Sequence, residues 1–127
     1  MYDIIGDIHG QAGELEELLT KLGYGRIGGV YRHDTRQVIF LGDFIDRGPH
    51  QRRVLNLVRA MVDDGTALAV MGNHEFNAIA FYTPDGSGGH LRPRNEKNVH
   101  QHRAFLDEFA EQPDDWAEAI GWFKTLP

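Results

Sequence analysis

The 127-residue chain has no cysteine, which excludes disulfides and thiolate metal sites. No apolar run approaches the roughly 20 residues needed to cross a bilayer, so no membrane partner is expected. The net charge of −6 argues against general affinity for a nucleic acid backbone, and no nucleic acid polymer is expected as a partner. The first residues show no basic segment followed by an apolar one, so no signal peptide is expected and the expected location is cytoplasmic. There is no internal repeat and no low-complexity tract. What remains is the composition of a soluble globular protein, 41% hydrophobic and 25% charged, with length for one ordinary domain and its core.

Apolar patterning divides the chain. Tyr2 to Gly6 is short and β-branched and reads as a first strand, with Asp3 a blemish near its start. Leu15, Leu18, Leu19 and Leu22 mark one helical face, with Glu14, Glu16 and Glu17 where a helix dipole favours anions; Gly23 and Gly25 end it. Residues 26–36 read as a loop or small hairpin. Val38 to Leu41 is a second buried strand. Pro49 opens a helix carrying Val54, Leu57, Val58, Met61 and Val62, which Gly65 closes. Ala67 to Met71 is a third apolar strand. This βαβαβ order with nearly continuous apolar strands predicts an α/β fold, a parallel β-sheet flanked by helices and covered on both faces, with ligands at the carboxyl ends of the strands. A short helix is expected from Asn73 through Phe81, then a mobile Gly/Pro-rich stretch from Thr83 to Asn95. A further helix is sketched by Val99, His102, Leu106 and Phe109, and another by Trp116, Ala119, Ile120 and Phe123, started by Asp114 or Asp115. The whole reads as one segment, 1–127, with a motif core over 2–81 and a helical region over 82–127.

Three runs stand at the strand ends: Gly6-Asp7-Ile8-His9-Gly10, Gly42-Asp43-Phe44-Ile45-Asp46-Arg47-Gly48 and Gly72-Asn73-His74-Glu75. They are 36 and then 30 residues apart, counted Asp7 to Asp43 to Asn73. Residues i and i+2 of extended backbone share a side, so one cation can take both Asp7 and His9. Asp43 has two oxygens and can bridge two cations; Asn73 adds an amide oxygen. Carboxylate, imidazole and amide without sulfur suit Mn²⁺, Fe or Zn²⁺ better than Ca²⁺, with Mn²⁺ favoured. Two such cations clamp a phosphate and lower the pKa of a bridging water, and the hydroxide attacks phosphorus in line. His74 is the candidate donor to the leaving alkoxide, Asp46 the carboxylate that holds its ring, and Arg47 a planar fork for phosphate oxygens.

These runs resemble the signature of the calcineurin-like metallophosphoesterases, in particular the branch holding serine/threonine phosphoprotein phosphatases, their bacterial relatives and symmetrical dinucleoside tetraphosphatases. The resemblance covers residues 2–81. It implies that Asp7 and His9 bind a first metal, Asp43 bridges, Asn73 binds a second, Arg47 holds phosphate, and His74 with Asp46 forms the acid pair. It also implies a four-layer sandwich of two sheets with helices outside, whose second half supplies further histidine ligands. This sequence stops before that half, so the chain is expected to be the N-terminal half of a larger enzyme, whether fragment, natural truncation or engineered segment. His33, His50, His90, His100 and His102 are not expected to replace the missing ligands; His100 and His102 diverge on their helix. Partial metal occupancy and little turnover follow, together with self-association through an uncovered apolar sheet face. The expected substrate is a phosphoprotein or a nucleotide. A non-catalytic remnant serving binding or assembly is the alternative of another class. Arg52, Arg53, Arg92 and Arg94 read as solvated, and Trp116, Trp122 and Phe123 as core.

Overall fold

A computed structural model describes residues 1–127. In chain order the elements are β1 (Tyr2–Ile5), α1 (Ala12–Lys21), β2 (Gly25–Ile27), β3 (Val30–Arg32), β4 (Gln37–Phe40), α2 (Gln51–Asp64), β5 (Ala67–Ala69), α3 (Asn73–Tyr82), α4 (Glu96–Phe109) and α5 (Pro113–Phe123). Strands β1, β4 and β5 form a parallel sheet in that spatial order, with Ile4 opposite Ile39 and Ile39 opposite Leu68. Residues 25–32 form the small antiparallel hairpin. The third strand is shorter than its apolar run, and α5 starts at Pro113, which suits a first helical turn because it has no N–H to leave unpaired.

The three strands of the parallel sheet alternate, and the inward residues Ile5, Val38, Phe40, Ala67 and Ala69 meet the helices. Phe40, Phe44, Phe105, Phe123, Leu19 and Met61 are fully buried beneath them. The expectation of cover on both faces fails for these residues. The outer face carries Tyr2, Ile4, Leu41 and Leu68, each exposed by about half or more, so the helices of this chain protect one face only. A continuous apolar strand signals burial on both sides, but the partner for one side is not within these 127 residues.

The second half of the chain is fastened to the first. Glu108 of α4 accepts the backbone N–H groups of Gln51 (2.6 Å) and Arg52 (3.1 Å), capping α2, whose own N-cap residue His50 supplies no side-chain bond. Arg52 is not merely solvated: its guanidinium lies 4.4 Å from the Phe109 ring and pairs with Asp115 at 3.0 Å. Arg53 pairs with Glu16 at 2.8 Å. The Thr83–Asn95 stretch is tied back as well. Leu91 donates to the Thr83 carbonyl and Arg92 to the Ala80 carbonyl, both at 2.9 Å, and Arg94 lies over the rings of Phe81 (4.8 Å) and Trp116 (5.7 Å). Asp3, the blemish in the first strand, is buried and receives hydrogen bonds from the Arg36 guanidinium and, at 2.8 Å, from the Tyr24 hydroxyl.

Candidate metal centre

The loops that follow β1 and β4 are laced together through their backbones. His9 N–H donates to Asp43 O (2.9 Å), Gly10 N–H to Phe44 O (2.8 Å), Gly48 N–H to His9 O (2.8 Å) and His50 N–H to Gly10 O (2.9 Å). Five non-glycine residues adopt left-handed backbone, and all lie in these two loops: Asp7 (φ 53°), His9 (44°), Asp43 (56°), Asp46 (73°) and Arg47 (75°). Such conformations cost of order 1–3 kcal/mol each and persist only where surrounding structure enforces them. Between the second and third loops the backbones approach so closely that a Cβ on Gly42 or Gly72 would overlap main-chain atoms of the other loop.

This lacing brings Asp7, His9 and Asp43 together, with one donor atom from each lying within 4.8 Å of the others. His9 Nδ1 lies 2.8 Å from the Ile45 carbonyl, which can only accept, so the proton sits on Nδ1 and the Nε2 lone pair faces Asp7, 3.9 Å away. The Asn73 amide lies against both Asp43 oxygens at 3.0 and 3.2 Å. Its oxygen faces that carboxylate, as two ligands of one cation do; after a half-turn its NH₂ group would donate to both carboxylate oxygens instead. The donor set is therefore oxygen and imidazole, a group that could hold a divalent metal ion.

Beside this group His74 Nδ1 lies 2.7 Å from Asp46 Oδ2, and the His74 backbone N–H donates to Asp43 Oδ1 at 3.0 Å. The His9 and His74 rings meet edge to face at 4.6 Å between centroids. Arg47 and His74 both line a cleft of about 670 Å³ between the strand ends and α4, along with Arg92, His100 and Arg103. Arg92 is held there by Asn98 (3.1 Å) and Gln101 (2.9 Å) rather than lying free in solvent.

The calcineurin-like phosphoesterase profile matches residues 2–127. The chain belongs to that family. Among curated relatives of the chain, the asymmetrical bis(5'-nucleosyl)-tetraphosphatase PrpE of Oceanobacillus iheyensis is 51% identical over 73 residues, which is 57% of this chain and 29% of that protein. PrpE of Halalkalibacterium halodurans is 53% identical over 74 residues, 58% of this chain and 30% of that protein. The chain thus matches under a third of the length of these relatives. The expected branch named symmetrical enzymes, whereas these relatives carry the asymmetrical name. In fold, a metallophosphoesterase from Sphaerobacter thermophilus superposes with a TM-score of 0.62 at 24% identity, covering 99% of this chain and 40% of the other. A protein serine/threonine phosphatase from Saccharomyces cerevisiae gives 0.57 at 23%, covering 99% and 33%.

Three residues of this candidate site have no role in the sequence reading. Glu75 is fully buried; its Oε1 accepts from Asp43 N–H (2.6 Å) and Gly72 N–H (3.0 Å), and its Oε2 accepts from Phe44 N–H (2.9 Å). Burial pushes its carboxyl up from the usual range, against those three donors. A signal existed: Glu three residues past a helix N-cap is half of a capping box. Gln51, also fully buried, accepts from Asp46 N–H and donates to Gly48 O, both at 2.8 Å. His102 is buried with its Nδ1 2.7 Å from Asp46 Oδ1. Its only sequence signal is a titratable side chain on the inward stripe of α4.

Proposed function

We propose that the chain supplies the metal-binding and proton-donating part of a phosphoesterase acting on phosphorylated substrates. The observation that carries this is the convergence of Asp7, His9 and Asp43 donors within 4.8 Å at neighbouring strand ends, beside the His74–Asp46 pair. Asp7, His9 and Asp43 would hold one divalent cation, and Asp43 with Asn73 a second; Mn²⁺ is the favoured ion. When bound, such ions supply Lewis-acid charge to phosphate oxygens and acidify water. Arg47 at the cleft rim offers two parallel N–H donors to phosphate oxygens. Asp46 holds His74 by Nδ1, which leaves the ring's other nitrogen to deliver a proton to the departing oxygen in the cleft.

The cleft favours one substrate class over the other. The cleft that His74 lines also carries Arg47, Arg92 and Arg103, against Asp107 as the one carboxylate besides Asp46, and this lining suits an anionic, phosphorylated leaving group better than a serine side chain. This supports a dinucleoside polyphosphate over a phosphoprotein, in keeping with the relatives' names. Calorimetric titration with Mn²⁺ followed by parallel assays on diadenosine tetraphosphate and a phosphopeptide tests the proposal. Weak metal binding and faster release from the nucleotide are expected. Absence of Mn²⁺ binding overturns the site, and preference for the phosphopeptide overturns the substrate class. The exposed face of Tyr2, Ile4, Leu41 and Leu68 also supports self-association of the 127-residue chain, which a clean monomer by light scattering at all concentrations would refute.

A further inference from the structure

Asp46 sits between two imidazoles. Its Oδ2 lies 2.7 Å from His74 Nδ1, and its Oδ1 lies 2.7 Å from His102 Nδ1. The two histidines reach it from different elements: His74 from the first turn of α3, His102 from the middle of α4. An ionised carboxylate only accepts, so both rings carry their proton on Nδ1. Asp46 itself is fixed from behind, in left-handed backbone with φ 73° and with its N–H donated to Gln51 Oε1 at 2.8 Å.

His102 pays poorly for its place as a core residue. It is 3% exposed, stacked on Phe105 at 4.7 Å between centroids and edge-on to Phe81 at 5.2 Å. Its Nε2 is buried with no hydrogen-bond partner. An unpartnered buried nitrogen is unfavourable, and a leucine or phenylalanine would fill the slot without it. The gain that offsets this is the Nδ1–H bond to a carboxylate, a charge-assisted bond in an apolar setting.

We infer that His102 is a positioning residue: it ties down one oxygen of Asp46 so that the other stays aimed at His74. The inference rests on the reading of His74 as the proton donor. Without His102, the buried Oδ1 has lost its donor and the carboxylate can turn about its Cβ–Cγ bond toward other donors. A displacement of the order of 1 Å in a catalytic group costs about 100-fold. Helix α4 thereby joins the acid pair to the cleft, since its neighbouring positions His100 and Arg103 line that cleft while His102 points inward.

The test compares His102→Asn, His102→Gln and His102→Phe. An asparagine amide can occupy the place of Nδ1, whereas a glutamine amide reaches the place of Nε2, and phenylalanine has neither. In the ¹⁵N-labelled 127-residue chain, the hydrogen-bonded Nδ1–H resonance of His74 is expected to persist in His102→Asn and to broaden or vanish in His102→Gln and His102→Phe. Mn²⁺ affinity by calorimetry is expected to be unchanged in all three. Where hydrolysis is measurable, kcat is expected to fall about 10- to 100-fold in His102→Gln and His102→Phe at constant KM, and to recover in His102→Asn. A His74 resonance identical in folded Asn and Gln variants overturns the inference, as does a kcat that ignores the difference; this pair decides even if His102→Phe does not fold. A wild-type chain that hydrolyses no phosphate ester counts against the proposed function, while the resonance comparison still decides the role of His102.

Discussion

The two ends of the parallel sheet treat their carboxylates differently. At the amino end, Asp3 is buried but matched within the chain: Arg36 and Tyr24 supply its donors, and the Arg36 guanidinium holds its carboxyl down to about 2. At the carboxyl end, Asp7 and Asp43 gather around His9, and neither has an arginine or lysine within ion-pair distance; Asp7 meets only the His9 ring, at 3.9 Å. Both ends of the sheet carry carboxylates, Asp3 alone at one and Asp7 with Asp43 at the other. One is closed by its own partners and reads as structure. The other concentrates acceptors that the chain does not neutralise, held in strained backbone, and this is the arrangement expected of a site for a cation and an anionic substrate.

Glu75 gives the harshest test of that contrast, because it lies at the carboxyl end but resembles Asp3 in kind. Its two oxygens satisfy three backbone N–H groups belonging to two different loops. Glu75→Ala leaves those donors buried and unpaired, and a loss of about 3–5 kcal/mol is expected from the shift of the urea midpoint. A loss below about 1 kcal/mol would mean that water replaces the carboxylate, and that the loops are not held as described.

Next in size is Asp43→Asn. Asparagine tolerates the φ of 56° and keeps an oxygen to accept the His74 N–H, so the fold should be no less stable. Mn²⁺ affinity is expected to drop by more than about 100-fold, since groups that merely support a ligand are worth 10- to 100-fold. Asp3→Asn should do the reverse, weakening the fold and leaving Mn²⁺ affinity alone. If both substitutions weaken the fold and spare the metal, the two ends of the sheet are alike and the contrast is gone.

The same contrast explains what could be read from residues alone. The strand ends were legible because an apolar run followed by Gly-Asp or Gly-Asn is a local pattern, and three such runs fix their own order in a βαβαβ chain. Asp3 falls on the inward side of its strand by simple alternation with Ile5, but its partner Arg36 is 33 residues away and no local pattern links them. His102 was legible as a helix-face position and not as a site residue, since periodicity places a side chain inward without saying what it meets. The bare outer face of the sheet was legible only in part: continuous apolar strands imply two covered faces, while this chain's helices reach one.

A smaller effect is expected at the joint between the motif loops and α4. Glu108 caps α2 from a distance of more than fifty residues, taking the place of the absent side-chain bond from His50. Glu108→Ala should cost about 1 kcal/mol, the usual worth of an N-cap. Because Gln51 at that same helix start holds Asp46, the His74 ring resonance should shift as well. Stability lost with an unmoved resonance would separate the cap from the acid pair.

The mildest probe is pH, and it distinguishes the two kinds of buried carboxylate by sign. For Asp3 the folded value, about 2, lies below its usual 3.8, so the unfolded chain binds the proton more tightly. Its contribution is therefore present above about 3.8 and is lost as pH falls toward 2. Glu75 is displaced upward by burial, so the folded chain binds the proton more tightly, and its ionisation removes stability as pH rises above its usual 4.5. Urea midpoints measured from pH 2 to pH 7 should thus fall more steeply toward low pH in the wild type than in Asp3→Asn. Identical slopes in the two would show that the Arg36–Asp3 pair contributes no more in the folded chain than its separated charges do in water, and the amino end would then lose its claim to be the self-neutralised one.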